Sequence, residues 1–195
     1  MADFPLSKEI ILDKAEEVLR RFGPAKANLL DVARALNVSH AAIYKYYSSK
    51  TALRDAVTER WLDRITEPMN AIISLNLPPE VKLFQLVEHL IKSKQQSSLA
   101  DPEMFATYAT LASEAREVLE LHLTHIVDLL TLTIEHGITA GTFNGIEPRE
   151  TAQAILIATS RFHHPSHAQD WLNPEIHYSF NVVWNLLMKG LTQRS

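Results

Sequence analysis

Cysteine is absent from the 195 residues, and glycine occurs only five times. Without cysteine the chain has no disulfide framework, no thiolate zinc site, no iron–sulfur cluster and no thiol nucleophile. The absence also suits a reducing compartment. So few glycines argue against a sheet protein built on tight turns and against a phosphate-cradling loop. Gly137, Gly141 and Gly145 recur at a four-residue spacing, but outside the apolar stretch that a membrane helix-packing motif requires. They read as a helix end followed by turns. No apolar run approaches the ~20 residues needed to cross a bilayer. The N-terminus carries Asp3, Lys8 and Glu9 in place of a basic flank and an apolar stretch, so no signal peptide is expected. A cytoplasmic protein with no membrane partner is the expectation.

What is present is the composition of an ordinary globular protein, 46% apolar and 22% charged, with enough length to bury a real core. The net charge of −4 is unevenly spread. Residues 1–65 hold 11 Lys and Arg against 9 Asp and Glu, a net of +2, and residues 66–195 carry a net of −6. A mildly basic head on an acidic body fits a protein whose N-terminal end alone meets phosphate.

Nearly every segment has helical periodicity. Ile11, Ala15, Val18 and Phe22 recur at helical spacing, with Ser7 as N-cap and Gly23-Pro24 as the stop. Asn28 caps a short second helix, Ser39 a third, and Ser48-Ser49 opens a fourth that Pro68 kinks or ends. Pro78-Pro79, Asp101-Pro102, Glu147-Pro148 and Asn173-Pro174 open further helices, and a seventh runs from about Arg116 to His136, followed by a connector from Gly137 to Gly145. No alternating strand pattern, internal repeat or low-complexity stretch occurs. The fold class is all-α, with about nine helices.

The informative window is LLDVARALNVSHAAIYKYYSSKTAL, Leu29 to Leu53. It reads as a helix-turn-helix: two short helices, a three-residue turn at Asn37-Val38-Ser39, and small residues at the start of the second helix. Asn37 tolerates a left-handed turn conformation better than most residues. The window resembles the DNA-binding domain of the TetR family of bacterial transcriptional regulators. Val32-Ala33, Asn37-Val38-Ser39, Tyr44 with Tyr47, and Ser49-Lys50-Thr51-Ala52-Leu53 carry the likeness, in order, over roughly the first 60 residues. Asn37 in place of glycine and Leu30 in place of a polar residue are its departures.

The resemblance implies a helix-turn-helix domain over 1–55 and a helical ligand-binding and dimerisation domain over 56–195. The third helix would enter the major groove. His40, Ala41 and Ala42 at its leading end would face base edges. Tyr44 and Lys45 would lie at the groove wall, Lys50 would hold a phosphate at the start of the fourth helix, and Asn28, Ser39 and Tyr46 complete the expected contact set. The partner would be a palindromic operator in double-stranded DNA, with the protein nucleoid-associated when bound.

The family's C-terminal domain dimerises through its last two long helices and encloses a ligand pocket. Ala152, Ala154 and Ala158 line the eighth helix with small residues, and Ile176, Phe180, Val183, Leu187 and Leu191 form a long stripe on the ninth. A homodimer through Ala154, Ala158, Phe180, Val183 and Leu187 is expected. On the seventh helix, Glu117, Glu120, Thr124, Asp128, Thr131 and Glu135 form a polar stripe that reads as the solvent side. Val118, His122, His125, Leu129, Leu132 and His136 share another face, where the histidines contact a bound molecule, reach water at a boundary or, at His122 and His125, begin a metal site with a third ligand from elsewhere. A cavity for a small organic effector is expected at Phe105, Tyr108, His122, His125 and Leu129. His163, His164 and His167 read as solvated or capping groups. No metal or other cofactor is expected, and no nucleotide-binding, metalloprotease or nucleophile-elbow motif points to an enzyme. The function implied is a sequence-specific transcriptional regulator, a repressor released by its effector. An architectural DNA-binding protein of the same fold is the alternative.

Overall fold

The structure is a computed structural model that describes residues 6–26 and 28–192; Asp3 lies outside them. Among the described residues ten α-helices follow one another: α1 Lys8–Lys26, α2 Leu29–Leu36, α3 His40–Tyr44, α4 Lys50–Ser74, α5 Pro79–Ala100, α6 Pro102–Glu114, α7 Arg116–Thr139, α8 Pro148–Ala158, α9 Ser160–His163 and α10 Ile176–Leu191. The helix expected ninth is therefore α10, because a four-residue α9 and two short 3-10 turns intervene. No helix among the described residues is long and apolar enough to cross a membrane.

The expected start signals operate as written. Asn28 accepts from the amides of Leu30 and Asp31, Ser39 from Ala42, Ser49 from Ala52 and Asp101 from Met104. Each bond satisfies an amide that the first turn leaves unpaired. Regular geometry in α1 breaks at Gly23, whose φ of 72° is open to glycine at little cost. Two expectations need correction. Helix α4 runs on through Pro68 to Ser74 rather than ending there, and α7 extends past Gly137 to Thr139, so the connector begins three residues later.

The chain divides into two compact units. The first comprises Met1–Leu62 with Asp101–Glu120, and the second Asp63–Ala100 with Leu121–Ser195. The sequence-based boundary at 55/56 left α6 out of the first unit. There Ile11, Ala15, Val18 and Leu19 of α1 form a core with Val32, Ala33, Ile43, Tyr47, Leu53 and Val57. Arg60 clasps α1 from α4, its Nε donating to Glu16 (3.1 Å) and Nη1 to Asp13 (2.7 Å). Trp61 stacks on Tyr108 of α6 at 5.0 Å and meets Phe105 edge-on at 6.0 Å.

In the second unit the aromatic cluster of Phe84, Phe162, Phe180 and Trp184 joins α5, α9 and α10 with centroid separations of 5.4–6.0 Å. The connector after α7 docks on the end of α10: the Asn144 amide nitrogen of the backbone donates to Leu191 (2.8 Å), and its side chain to the carbonyls of Gly190 and Thr192. These are carbonyls that the last helical turn cannot satisfy itself.

Gly137 is held glycine by packing. A Cβ there would lie 2.1 Å from the Phe143 ring, which is fully buried. Gly190, in α10, has nothing within 4 Å of the same position. Gly137→Ala is therefore expected to cost about 1–3 kcal/mol through overpacking, whereas Gly190→Ala should be neutral or stabilise by up to about 1 kcal/mol. Urea unfolding of both variants checks this; equal stabilities would mean that Phe143 does not sit against α7.

Candidate nucleic-acid interface and ligand site

The reading head is built around a short, tightly specified turn. Asn37 is the one non-glycine residue at positive φ among the described residues, at φ 54° and ψ 41°. Its backbone N–H closes the end of α2 on the carbonyl of Arg34, and Val38 N–H returns to Ala33. This left-handed residue lets the chain reverse in three positions. Ser39 then caps α3 at once. Of α3 itself only Ile43 is fully buried, at 0% exposure. That single anchor turns His40, Ala41 and Tyr44 outward, with Ala42 half-buried.

His40 and Tyr44, one turn apart, meet edge to face at 4.7 Å and 87°. The contact steadies the imidazole at the leading end of the helix. Lys45 is exposed and Lys50 half-buried, and among the described residues no carboxylate pairs with either. Asn28, Lys50 and Arg54 line one groove whose floor includes Leu19, Val32 and Leu53. The N-terminal ends of α2 and α4, only part of whose first-turn amides are taken by the Asn28 and Ser49 caps, thus lie along one groove with the Lys50 ammonium. That combination suits a phosphate. Arg54 is less available, because its guanidinium pairs with Glu114 at 2.5 Å.

Tyr46 behaves differently from the rest of the expected contact set. Its hydroxyl donates to the carbonyl of Leu6 at 2.5 Å, so the polar end of the side chain serves the fold rather than the surface. Leu30 is exposed at 41%, an apolar residue at the edge of this face.

The expected ligand residues fall into both units. Phe105 and Tyr108 are buried in the first, against Trp61. In the second, His122 and Leu129 are buried and His125 is half-buried. The polar stripe of α7 does face solvent at Glu117, Glu120, Thr124, Asp128 and Glu135, whereas Leu132 and His136 of the mixed stripe are exposed rather than covered. Burial, with Lys94 and His125 nearby, drives the His122 pKa down to about 3, so the ring is neutral at physiological pH. Its Nε2 has no hydrogen-bond partner.

Two residues stand out that sequence reasoning undervalued. Lys94 is buried on α5, where the stripe Leu83, Leu86, Val87, Leu90 and Ile91 continues at helical spacing; that periodicity was the available signal. His163, expected to be solvated or capping, is buried in α9, its Nε2 3.3 Å from the Thr159 hydroxyl. Burial likewise brings its pKa to about 3. His164 is a true cap, accepting from the Ser166 amide.

One expected interface residue is corrected outright. Phe180 is 5% exposed and packs on Phe84, Phe162 and Trp184 of its own unit, so it offers a partner no surface. Val183 and Leu187 are half-buried, and Ala154 and Ala158 exposed. The outward face of α10 is instead Tyr178, Val182 and Leu186, 52–72% exposed, and Ile157 of α8 is 73% exposed.

Comparison with known proteins agrees with this geometry. Residues 11–57 match the family described as bacterial regulatory proteins, tetR family, and residues 79–184 match the family described as tetracyclin repressor-like, C-terminal domain. An uncharacterised HTH-type transcriptional regulator of Mycobacterium tuberculosis is 31% identical over 96 residues, 49% of this chain; the match spans about half (48%) of that relative's length. Among solved structures, SmeT, the repressor of the Stenotrophomonas maltophilia multidrug efflux pump SmeDEF, has a TM-score of 0.72 at 14% identity, covering 98% of this chain and 93% of that one. The transcriptional regulator FadR of Bacillus subtilis, in complex with stearoyl-CoA, has a TM-score of 0.71 at 18% identity over 94% and 99% of the two chains. With the second match alone spanning more than half of the sequence, the chain belongs to the TetR family of DNA-binding transcriptional regulators.

Proposed function

We propose that the protein is a cytoplasmic, homodimeric repressor that leaves its operator when a small organic effector binds, and that it has no enzymatic role. The observation that carries this reading is the exposed leading end of α3, His40 and Ala41, beside the unpaired cations Lys45 and Lys50. Small and hydrogen-bonding side chains at a helix N-terminus suit base edges, and flanking cations suit the backbone. The effector-binding part is the second unit, with His122, His125 and Leu129 among its ligand residues. Because the coupling is reciprocal, an effector that weakens DNA binding is itself held more weakly by the DNA-bound protein, by the same factor.

Dimerisation is supported by the apolar faces left exposed on α8 and α10. Tyr178, Val182 and Leu186 recur at four-residue spacing, and Ile157 stands out from α8 between the exposed Ala154 and Ala158. An apolar stripe of this kind usually marks an interface. Replacing Val182 and Leu186 together with Glu should give monomers in sedimentation velocity with helical content unchanged. A doubly substituted protein that stays dimeric would move the interface elsewhere.

The two kinds of DNA contact should fail differently. Lys50→Ala removes a phosphate contact, weakening specific and random duplexes alike and shrinking the salt slope by about 0.9 per lost contact. His40→Ala removes a base contact, typically about 1–3 kcal/mol of discrimination at one position per half-site, and leaves random-sequence binding nearly intact. Affinities over a salt series, for cognate, singly substituted and random duplexes, separate the two. Equal losses on all duplexes for His40→Ala, or an unchanged slope for Lys50→Ala, would remove the corresponding role.

A further inference from the structure

The second unit contains a lysine that no carboxylate among the described residues pairs with. Lys94 is 7% exposed on the inner face of α5, one turn beyond the buried Leu90 and Ile91, and no hydrogen bond or ion pair within the described residues engages its ammonium. Desolvation alone acts on it and lowers its pKa to about 8, so at neutral pH the charged form still prevails. A buried, charged ammonium without a counter-ion is among the least favourable groups a fold can hold.

Two histidines share its surroundings. His122 of α7 and His163 of α9 both feel the Lys94 charge, and His164 feels it more peripherally, its ring bonded to Ser166. No carboxylate is among the groups acting on these four side chains. Burial together with Lys94 keeps His122 and His163 neutral, so they are hydrogen-bonding groups and not further cations. His163 is occupied by Thr159. His122 is not: its Nε2 is sealed from solvent and unpartnered.

The two orphaned groups specify what would satisfy them. One unit of positive charge calls for one negative charge, and the unpartnered Nε2, in the tautomer that carries its proton there, calls for an acceptor oxygen. A doubly charged head would leave its second charge unbalanced in the interior. At helical spacing from these two groups, on the same faces of their helices, lie buried aliphatic side chains, Leu90 and Ile91 on α5 and Ile126 and Leu129 on α7. We propose that Lys94 and His122 bind the head of an organic carboxylate whose apolar body lies along these aliphatics, and that such monoanions are the effector class of this protein. The effector role rests on the repressor reading above; the carboxylate site does not.

The test uses the full-length protein without DNA and four probes of one chain length: octanoate, octan-1-ol, octylamine and octyl phosphate. Calorimetry is expected to show saturable octanoate binding at least tenfold tighter than octanol, with octylamine and octyl phosphate weaker than octanoate. In Lys94→Met, an apolar replacement of similar length, the margin between octanoate and octanol should vanish. Absence of saturable octanoate binding, equal affinity for octanol, tighter binding of octyl phosphate, or a tenfold margin retained in Lys94→Met would each overturn the site. The wild-type ratios decide the matter even if the variant does not fold. Octanoate that binds as expected but leaves operator affinity unchanged would overturn the effector role alone.

Discussion

A recognition helix of five residues cannot hold its own shape or position. An isolated helix this short has almost no stability in water, and α3, His40–Tyr44, buries only Ile43. Its geometry is imposed from outside, by the left-handed turn at Asn37, the Ser39 cap and the buried seat of Ile43 in the core of the first unit. The consequence is functional. With one inward side chain, every other position of α3 is free to be chosen for what it meets outside, and the exposed His40, Ala41 and Tyr44 show that freedom used. The Arg60 clasp on Asp13 and Glu16 and the Tyr46 hydroxyl on Leu6 serve the same end, fixing the N-terminal helix that forms part of the seat.

The second unit follows a different logic. Its aromatic cluster and connector clasp form within the unit, yet among the described residues it keeps a buried lysine with no ion pair and a sealed imidazole nitrogen with no hydrogen-bond partner. Buried polar groups are almost always paired, so unpaired ones are concentrated at places where something else binds. An incomplete interior is also a means of control, since a ligand that completes it stabilises one arrangement of the helices over another.

Much of this was legible in the residues. The all-helical class, the caps at Asn28, Ser39, Ser49 and Asp101, and the turn at Asn37 follow from local chemistry, which a sequence displays directly. What stayed hidden depends on which of two similar faces turns inward. Helix α10 carries two apolar stripes, one through Ile176, Phe180 and Trp184 and another through Tyr178, Val182 and Leu186, and periodicity cannot rank them. Lys94 continues the apolar spacing of α5, but its residue type gives no signal of burial, and nothing in the sequence separates the short α9 of His163 from a loop. Pro68 shows the opposite failure: a strong local signal for a break was overruled, and α4 continues past it.

The central claim is that the first unit reads a defined DNA sequence through α3. Footprinting the purified protein on DNA flanking its own gene addresses it most directly. The account predicts two protected half-sites of related, inverted sequence whose centres are one or a few helical turns apart, about 10–10.5 base pairs per turn, with protection lost when α3 is displaced by Ile43→Asp. Uniform coverage without discrete half-sites, or protection that survives the loss of Ile43, would contradict it.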